Sequence, residues 1–249
     1  MSIFDLQKRQ EAVKFVLEKR NIANAPTMRV GVALDVSGSA RNIYSNGTMQ
    51  ATIDRLIPIA MRFDDNGELD VWSFDTGCAQ LASVSKQDYE GFIQREIMSN
   101  SQISKWGGTY YAPPLEKMMQ FYFGGSKMAD KTPKANGFLG GLFGKKEASP
   151  ATPATTPHSV SLPAMALFIT DGANSDRREA EAVIRASQDK PIYWQLIGVG
   201  NPSEFGFLRQ MADELPNAGF VHMSSLSMSD EQLYDALLSQ ELADFVKKL

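Results

Sequence analysis

Apolar runs of about the length of a β-strand recur along the chain and alternate with segments whose apolar residues repeat at helical spacing. The runs predict buried strands, because their residues suit an interior that is covered on both sides. They lie at 28–35, 69–74, 164–170 and 191–199, with shorter candidates at 79–84 and 219–223. The helical pattern covers 3–20, 48–63, 87–98, 113–123, 176–188, 204–214 and a final helix that begins at Ser229. This alternation predicts an α/β fold: a doubly wound, mostly parallel sheet with helices on both faces.

One main domain with an internal insertion is the expected organisation. Residues 1–27 are predicted to form an N-terminal helix and a connector, and 28–249 the main domain. Within that domain, 124–163 is rich in Gly, Pro, Ala, Ser and Thr and is predicted to be a flexible insertion, since it has no continuous apolar face to bury. Its one apolar stretch, GFLGGLFGKK at 137–146, is either a linker or a short motif that docks on a partner or a membrane surface.

The overall composition argues against several classes of protein. A formal net charge of −4 and a pI near 5.3 are unlike a nucleic-acid-binding protein, which normally carries a basic surface. The single cysteine, Cys78, excludes an intramolecular disulfide and fits a reducing compartment. The sequence shows neither a secretory signal nor an apolar run of about 18 residues that could span a membrane. We therefore expect a cytoplasmic protein.

Oxygen-bearing side chains are concentrated in three short loops. They are Asp35, Ser37 and Ser39 in DVSGS, Thr109 in GGT and Asp171 in TDG. Ligands of parallel sheets bind at the carboxyl ends of the strands, so we expect these loops to form one site. Carboxylates and hydroxyls without imidazole or thiolate suit a hard cation, Mg²⁺ first and Mn²⁺ or Ca²⁺ next. Two carboxylates and three neutral hydroxyls leave such an ion electrophilic, so that an acidic side chain of another molecule could complete its shell.

The three loops together resemble the metal-ion-dependent adhesion site of von Willebrand factor A (vWA) domains, whose five positions are present here in order. A narrower resemblance is to the vWA proteins of bacterial tellurium-resistance (Ter) operons, and it covers about 28–248 except the 124–163 segment. It is carried by the stretches ALDVSGS, RFDDNGELDVWSF, GGTYYAP, LFITDG, PIYWQLIGVG and NAGF. One departure is Ala40, where vWA loops often have methionine.

This resemblance implies a role for each candidate residue. Ser37, Ser39 and Thr109 would bind the cation directly, while Asp35 and Asp171 would set the charge and act directly or through water. It also implies a metal-dependent protein-binding module, not an enzyme, in a cytoplasmic stress-response assembly of the Ter type. The expected partner is a protein that presents a carboxylate, such as another Ter-type protein.

Other motifs carry weaker signals. Trp106, Tyr110 and Tyr111 flank the proposed site and are candidate rim contacts for a partner, although a core position suits the tyrosines equally well. DDNGELD at 64–70 is interpreted as a turn, because the glycine and the distal glutamate of a calcium loop do not match. Taken alone, DVSGS could also be a strand-to-helix turn with serine caps.

An enzyme is the main alternative class. Mg²⁺ beside Asp35 could polarise a phosphoryl oxygen in a hydrolase or phosphotransferase. Against this, the sequence has no P-loop and no evident general base. His158 and His222 have no evident Ser or Cys partner, and Cys78 is interpreted as a packed residue. A scaffold with a vacant metal site is the third alternative.

Overall fold

The computed structural model describes residues 3–124, 162–225 and 228–249, and a six-stranded sheet runs through its centre. The strands are β1 (Arg29–Asp35), β2 (Asp70–Phe74), β3 (Cys78–Gln80), β4 (Ala164–Thr170), β5 (Ile192–Val199) and β6 (Ala218–Met223). Their order across the sheet is β3-β2-β1-β4-β5-β6, and every neighbouring pair is parallel except β2 and β3. The predicted doubly wound, mostly parallel α/β fold is therefore confirmed.

Helices cover both faces of this sheet. Successive strand residues point to opposite faces, so Val30, Val32 and Leu34 of β1 join one hydrophobic cluster and Ala33 joins the other. The α-helices are α1 (Ile3–Lys19), α2 (Arg41–Ser45), α3 (Thr48–Phe63), α4 (Ala112–Phe123), α5 (Arg177–Ala186), α6 (Gly206–Glu214), α7 (Asp230–Leu237) and α8 (Gln240–Val246), with 3₁₀ turns at Ser187–Asp189 and Pro202–Phe205. Buried residues of α1, α3, α7 and α8 belong to the first cluster, and those of α4, α5 and α6 to the second.

The parallel strands give the sheet two chemically different edges. We call the edge where β1, β2 and β4 end, at Asp35, Phe74 and Thr170, the loop edge. The edge where β1 and β2 begin, at Arg29 and Asp70, is called the amino edge. Since β1 lies between β2 and β4, the loop that follows it is flanked on both sides by neighbouring strand ends.

Two predicted helices take a different form. Over 87–98 the structure has only a π-helical turn at Gln94–Met98, because Gly91 adopts a left-handed φ of 66° that no α-helix accommodates. The final helix is divided into α7 and α8. The division follows from Ser239, whose hydroxyl accepts the backbone N–H of Leu242 and begins a second helix.

The predicted edge strand at 79–84 is shorter than expected. Its regular pairing is limited to β3. Beyond β3 the Leu81 backbone N–H donates to the Val71 carbonyl at 2.8 Å, and an isolated bridge joins Leu69 and Val84. The Ser83 hydroxyl donates to the Asp70 carboxylate at 2.8 Å, so this segment is attached to the sheet through a side chain as well as through the backbone.

Several predictions fall outside the described residues. These are nearly all of the 124–163 insertion, the GFLGGLFGKK stretch and His158. The division of the chain after residue 27 also stays a prediction. Among the helices that the structure describes, none has the length and apolar character needed to cross a membrane.

Candidate metal centre

Asp35 ends β1 and is the buried carboxylate of the loop edge. Its side chain accepts two hydrogen bonds, one from the Ser37 backbone N–H at 2.8 Å and one from the Thr170 hydroxyl at 2.6 Å. Its backbone carbonyl accepts a third from the Tyr44 hydroxyl of α2 at 2.9 Å. Only 1% of the residue is exposed. Groups from the following loop, from β4 and from α2 therefore fix the position of this carboxylate.

A chain of side-chain hydrogen bonds joins the first and third predicted loops. The hydroxyl oxygens of Ser37 and Ser39 are 3.1 Å apart, and the Ser39 hydroxyl donates to the Asp171 carboxylate at 2.8 Å. Asp171 directly follows β4, which pairs with β1 in parallel. Four of the five predicted ligands, including Asp35, thus lie together at the loop edge.

Thr109 lies on a loop that is attached to the first one through the backbone. The Trp106 N–H donates to the Val36 carbonyl at 2.6 Å, and the Gly38 N–H donates to the Gly107 carbonyl at 3.0 Å. The carbonyl of Thr109 itself accepts from the Ser175 N–H at 2.9 Å, which ties it to the Asp171 loop. Within the described chain, no hydrogen bond joins the Thr109 hydroxyl to the other four candidates. The structure therefore brings the GGT loop to the site but leaves the Thr109 side chain unlinked.

Asp75 is a residue of this site that the sequence analysis missed. It follows β2 at the loop edge and is buried. Its carboxylate accepts hydrogen bonds from the Ser104 hydroxyl at 2.8 Å and from the backbone N–H of Gly77 and Gly107 at 3.1 and 3.2 Å. It therefore holds the loop that carries Thr109. Its position in the sequence could have indicated this role, because Asp75 follows an apolar strand run just as Asp35 does.

Asp176 similarly connects the third loop to the start of α4 through hydrogen bonds. Its carboxylate accepts the backbone N–H groups of Tyr111 at 2.9 Å and Ala112 at 2.7 Å, where α4 begins. The Asn174 side chain donates to the same carboxylate at 2.9 Å. The first turn of α4 is thereby anchored to the loop after β4, and this contact was also absent from the sequence analysis.

The two candidate carboxylates lie in an environment that disfavours negative charge. Burial raises the pKa of Asp35 to about 6, against the opposing effect of hydrogen bonds from Ser37 and Thr170. Burial also raises the pKa of Asp171, although the Ser39 hydrogen bond opposes the shift. No Lys, Arg or His of the described residues forms an ion pair with either carboxylate. A buried carboxylate without a cationic partner is costly unless a proton or a metal ion neutralises it.

These residues fit a divalent cation by the chemistry of their donors. Two carboxylates and the neighbouring hydroxyls of Ser37 and Ser39 are the oxygen ligands that hard cations prefer. The described part of the chain contains no group of three His, Cys, Asp or Glu placed to hold a metal. A metal at the loop edge would therefore depend on hydroxyl ligands as well as on the two aspartates.

The three aromatic rim candidates differ in accessibility. Tyr110 is exposed and Trp106 is partly exposed, so both remain available to a partner. Tyr111 is not a rim residue, because only 2% of it is exposed and its hydroxyl donates to the carbonyl of Gly172, with the Thr170 hydroxyl oxygen 3.3 Å away. Of the two alternatives for Tyr111, the core position is the one observed.

The nucleophile candidates lie in ordinary structural positions. The His222 imidazole nitrogen Nε2 is 2.8 Å from the carbonyl of Gly200. Burial raises the pKa of the Cys78 thiol to about 12, so this residue is almost entirely in the unreactive thiol form near neutral pH.

Solved structures of other proteins share this fold. Proximal thread matrix protein 1 of the mussel byssus, crystal form 2, has a TM-score of 0.54 and 14% identity over 85% of this chain and 48% of its own, so the chain spans about half of that protein. An aerotolerance-related membrane protein of Bacteroides fragilis NCTC 9343, solved with multiple mutations to serines, has a TM-score of 0.51 and 14% identity over 89% of this chain and 100% of its own. At these identities the likeness shows the fold alone.

The sequence comparisons identify a family. The uncharacterized protein YcbR of Bacillus subtilis (strain 168) is 34% identical over 245 residues, which are 96% of this chain and 85% of that protein. The profile of the vWA-TerF-like family, described as the vWA found in the TerF C terminus, matches residues 27–132 and 150–249. The chain therefore belongs to the vWA-TerF-like family.

Proposed function

We propose that this protein is a metal-dependent protein-binding module whose divalent cation bridges to a carboxylate of a protein partner. The proposal is carried by the pair Asp35 and Asp171, which are linked through Ser37 and Ser39 and lack a cationic partner among the described residues. A bound cation would neutralise both carboxylates, and an incomplete protein shell would leave it able to accept an external ligand.

The proposed cation is Mg²⁺, with Mn²⁺ or Ca²⁺ as the next candidates, because all the available donors are oxygen atoms. Asp35, Ser37, Ser39, Thr109 and Asp171 are the proposed ligand set, which makes the adhesion site complete. In this set the Thr109 hydroxyl would have to join the others when the cation binds. Asp75 and Asp176 would hold the Thr109 loop and the start of α4 in place.

The proposed setting is a cytoplasmic stress-response assembly of the tellurium-resistance type, with other Ter-type proteins as partners. Membership of the vWA-TerF-like family supports this part of the proposal. A binding role without catalysis is also proposed. It is supported by the raised pKa of the Cys78 thiol and by the engagement of His222 with a backbone carbonyl.

Calorimetric titration of Mg²⁺ into the EDTA-stripped, full-length protein tests the metal centre. We expect the wild type to bind Mg²⁺ and Asp171→Asn to bind it at least about tenfold more weakly, because a charged ligand has been replaced by an amide. Asp213→Asn, an equal change of charge at an exposed position of α6, is the matched control and should bind like the wild type. Equal affinity of Asp171→Asn and wild type would contradict the proposed site.

Affinity capture from a lysate of cells that naturally contain the protein tests the binding role. A protein retained by the wild type in Mg²⁺, but neither in EDTA nor by Asp171→Asn, is the expected result. Equal retention in all three arms would contradict a metal-bridged contact and would move the binding surface away from the loop edge.

A further inference from the structure

Trp106 adopts a backbone conformation that is rare for a large side chain. Its φ is 74°, in the left-handed region, and its N–H donates to the Val36 carbonyl. The indole ring packs edge-on against Tyr44 of α2, with the ring centroids 5.7 Å apart. Because the Tyr44 hydroxyl binds the carbonyl of Asp35, this conformation places the Trp106 ring beside the candidate metal centre.

Arg41 is stacked on that ring. Its guanidinium carbon is 5.1 Å from the Trp106 ring centroid, and the residue is exposed two positions after Ser39. Among the described residues, no carboxylate forms an ion pair with it. A guanidinium that lies on an aromatic face keeps its N–H edge available, and the planar fork matches a carboxylate in a bidentate geometry. Arg41 is therefore a preorganised anion receptor next to the site.

The neighbouring helix start adds positive charge to the same edge. Arg177 and Arg178 begin α5, the helix that follows the Asp171 loop, and both are exposed. Cations are disfavoured in the first turn of a helix by the helix dipole, so their position does not serve the stability of α5. In a chain with a net charge of −4, exposed arginines at the loop edge complement an acidic partner.

We infer that Arg41, held against Trp106, binds a second carboxylate of the partner, which is therefore an acidic segment with at least two carboxylates. One carboxylate completes the shell of the cation and the other pairs with the guanidinium. The inference rests on the proposed function, because the first carboxylate requires the metal.

Selection from a random peptide library displayed on phage identifies the preferred chemistry without knowledge of the natural partner. The phage are bound to the immobilised full-length protein in Mg²⁺, and the bound phage are then eluted with EDTA. We expect the eluted peptides to share at least two Asp or Glu residues at a fixed spacing. With Arg41→Gln as bait, one acidic position should remain enriched and the second should be lost.

A double-mutant cycle on one selected peptide then measures the contact. Changing its second acid to the amide should weaken binding to the wild type about fivefold and leave binding to Arg41→Gln unaltered. Arg41→Lys should recover only part of the affinity, because lysine lacks the planar fork. Arg62→Gln is the matched control, since Arg62 also stacks on an aromatic ring, that of Phe63 at 5.4 Å, but lies at the end of α3 near the amino edge.

The possible failures are distinguishable. EDTA-eluted peptides with a single conserved acid, or with two acids that Arg41→Gln selects equally well, would overturn the inference and leave the proposed function standing. If EDTA elutes no enriched peptide, the proposed function itself fails and the inference with it.

Discussion

The buried aspartates at the two edges of the sheet have different kinds of partners. At the amino edge, the Asp70 carboxylate lies 3.3 Å from the Arg29 guanidinium and accepts hydrogen bonds from Ser83 and Tyr122. At the loop edge, Asp35 is also buried but has hydroxyl and backbone N–H donors and no cationic partner among the described residues. The two carboxylates lie on adjacent parallel strands. Their different environments therefore come from the neighbouring side chains and not from the type of strand.

This difference separates a structural ion pair from a site prepared for an external ion. A buried charge is tolerated when the protein supplies its partner, and Arg29 does so for Asp70. Where the protein supplies only neutral donors, the charge needs a proton or a bound cation. The free energy of unfolding should therefore fall when the arginine of the amino edge is lost, and it should rise when a metal ion binds at the loop edge.

The largest effect is expected from Arg29→Met. This change leaves the Asp70 carboxylate buried without its cation and also removes the guanidinium from the Tyr122 ring, 5.1 Å away. We expect a loss of about 3–5 kcal/mol in the free energy of unfolding, measured by urea denaturation in EDTA near neutral pH. Adding Asp70→Asn to this variant should restore part of the loss, because both charges are then absent. A loss below about 1 kcal/mol would contradict the structural role assigned to the pair.

The next effect concerns metal at the loop edge. Mg²⁺ at a hundredfold excess over its dissociation constant should raise the free energy of unfolding of the wild type by about 2.7 kcal/mol. Asp35→Asn should abolish this gain. In EDTA the same variant should lie within about 1 kcal/mol of wild type, since the amide can accept the Ser37 N–H and donate to the Thr170 hydroxyl oxygen. If Mg²⁺ stabilised Asp35→Asn as much as the wild type, the proposal that the loop edge binds a metal ion through Asp35 would be contradicted.

A pair of glycine substitutions separates packing from metal affinity. A Cβ at Gly107 would lie 2.8 Å from a carboxylate oxygen of Asp75, so Gly107→Ala should displace the Thr109 loop and weaken Mg²⁺ binding about tenfold. A Cβ at Gly31, in the middle of β1, would lie 2.1 Å from the Tyr122 hydroxyl oxygen. Gly31→Ala should therefore cost about 1–3 kcal/mol of stability while the Mg²⁺ affinity stays unchanged. Calorimetry and urea denaturation of both variants give the two readouts, and equal metal affinity in both would contradict the positioning role of Asp75.

The sequence was sufficient for those parts of the site that follow directly from strand ends. Asp35 and Asp171 each follow a continuous apolar run, and the parallel topology brings the ends of adjacent strands together. The same reasoning predicted most helices and strands, because their apolar periodicity is local. Asp75 was open to the same argument and was overlooked.

Other features depend on contacts that local patterns do not contain. Thr170 lies 135 positions from Asp35, and nothing near either residue shows that its hydroxyl binds that carboxylate. Tyr110 and Tyr111 are adjacent and alike in type, yet the structure exposes the first and buries the second. The prediction of a helix at 87–98 was wrong. The left-handed backbone of Gly91 interrupts the helix that the apolar spacing on either side of it predicts.

The last expected effect is a dependence of stability on pH at the amino edge, through Asp64. Its carboxylate accepts the backbone N–H groups of Val30 and Asn66. Burial raises its pKa from 3.8 to about 7, and the nearby charges of Asp70 and Asp65 act in the same direction. Between these two pKa values the folded protein binds a proton that the unfolded chain has released, so this group stabilises the fold at low pH. Its contribution is lost as the pH rises through about 7.

Asp64→Asn isolates this contribution. An amide can accept only one of the two backbone hydrogen bonds, so the variant should be less stable at every pH, and the informative quantity is the change with pH. The urea midpoint of the wild type should fall more between about pH 5 and pH 8 than that of Asp64→Asn, with EDTA present in both series. Because Asp35 is unchanged in both proteins, its own titration at the loop edge cancels in the comparison. Parallel curves would show that Asp64 is already ionised at pH 5 and that the amino edge accommodates this charge as fully as it does that of Asp70.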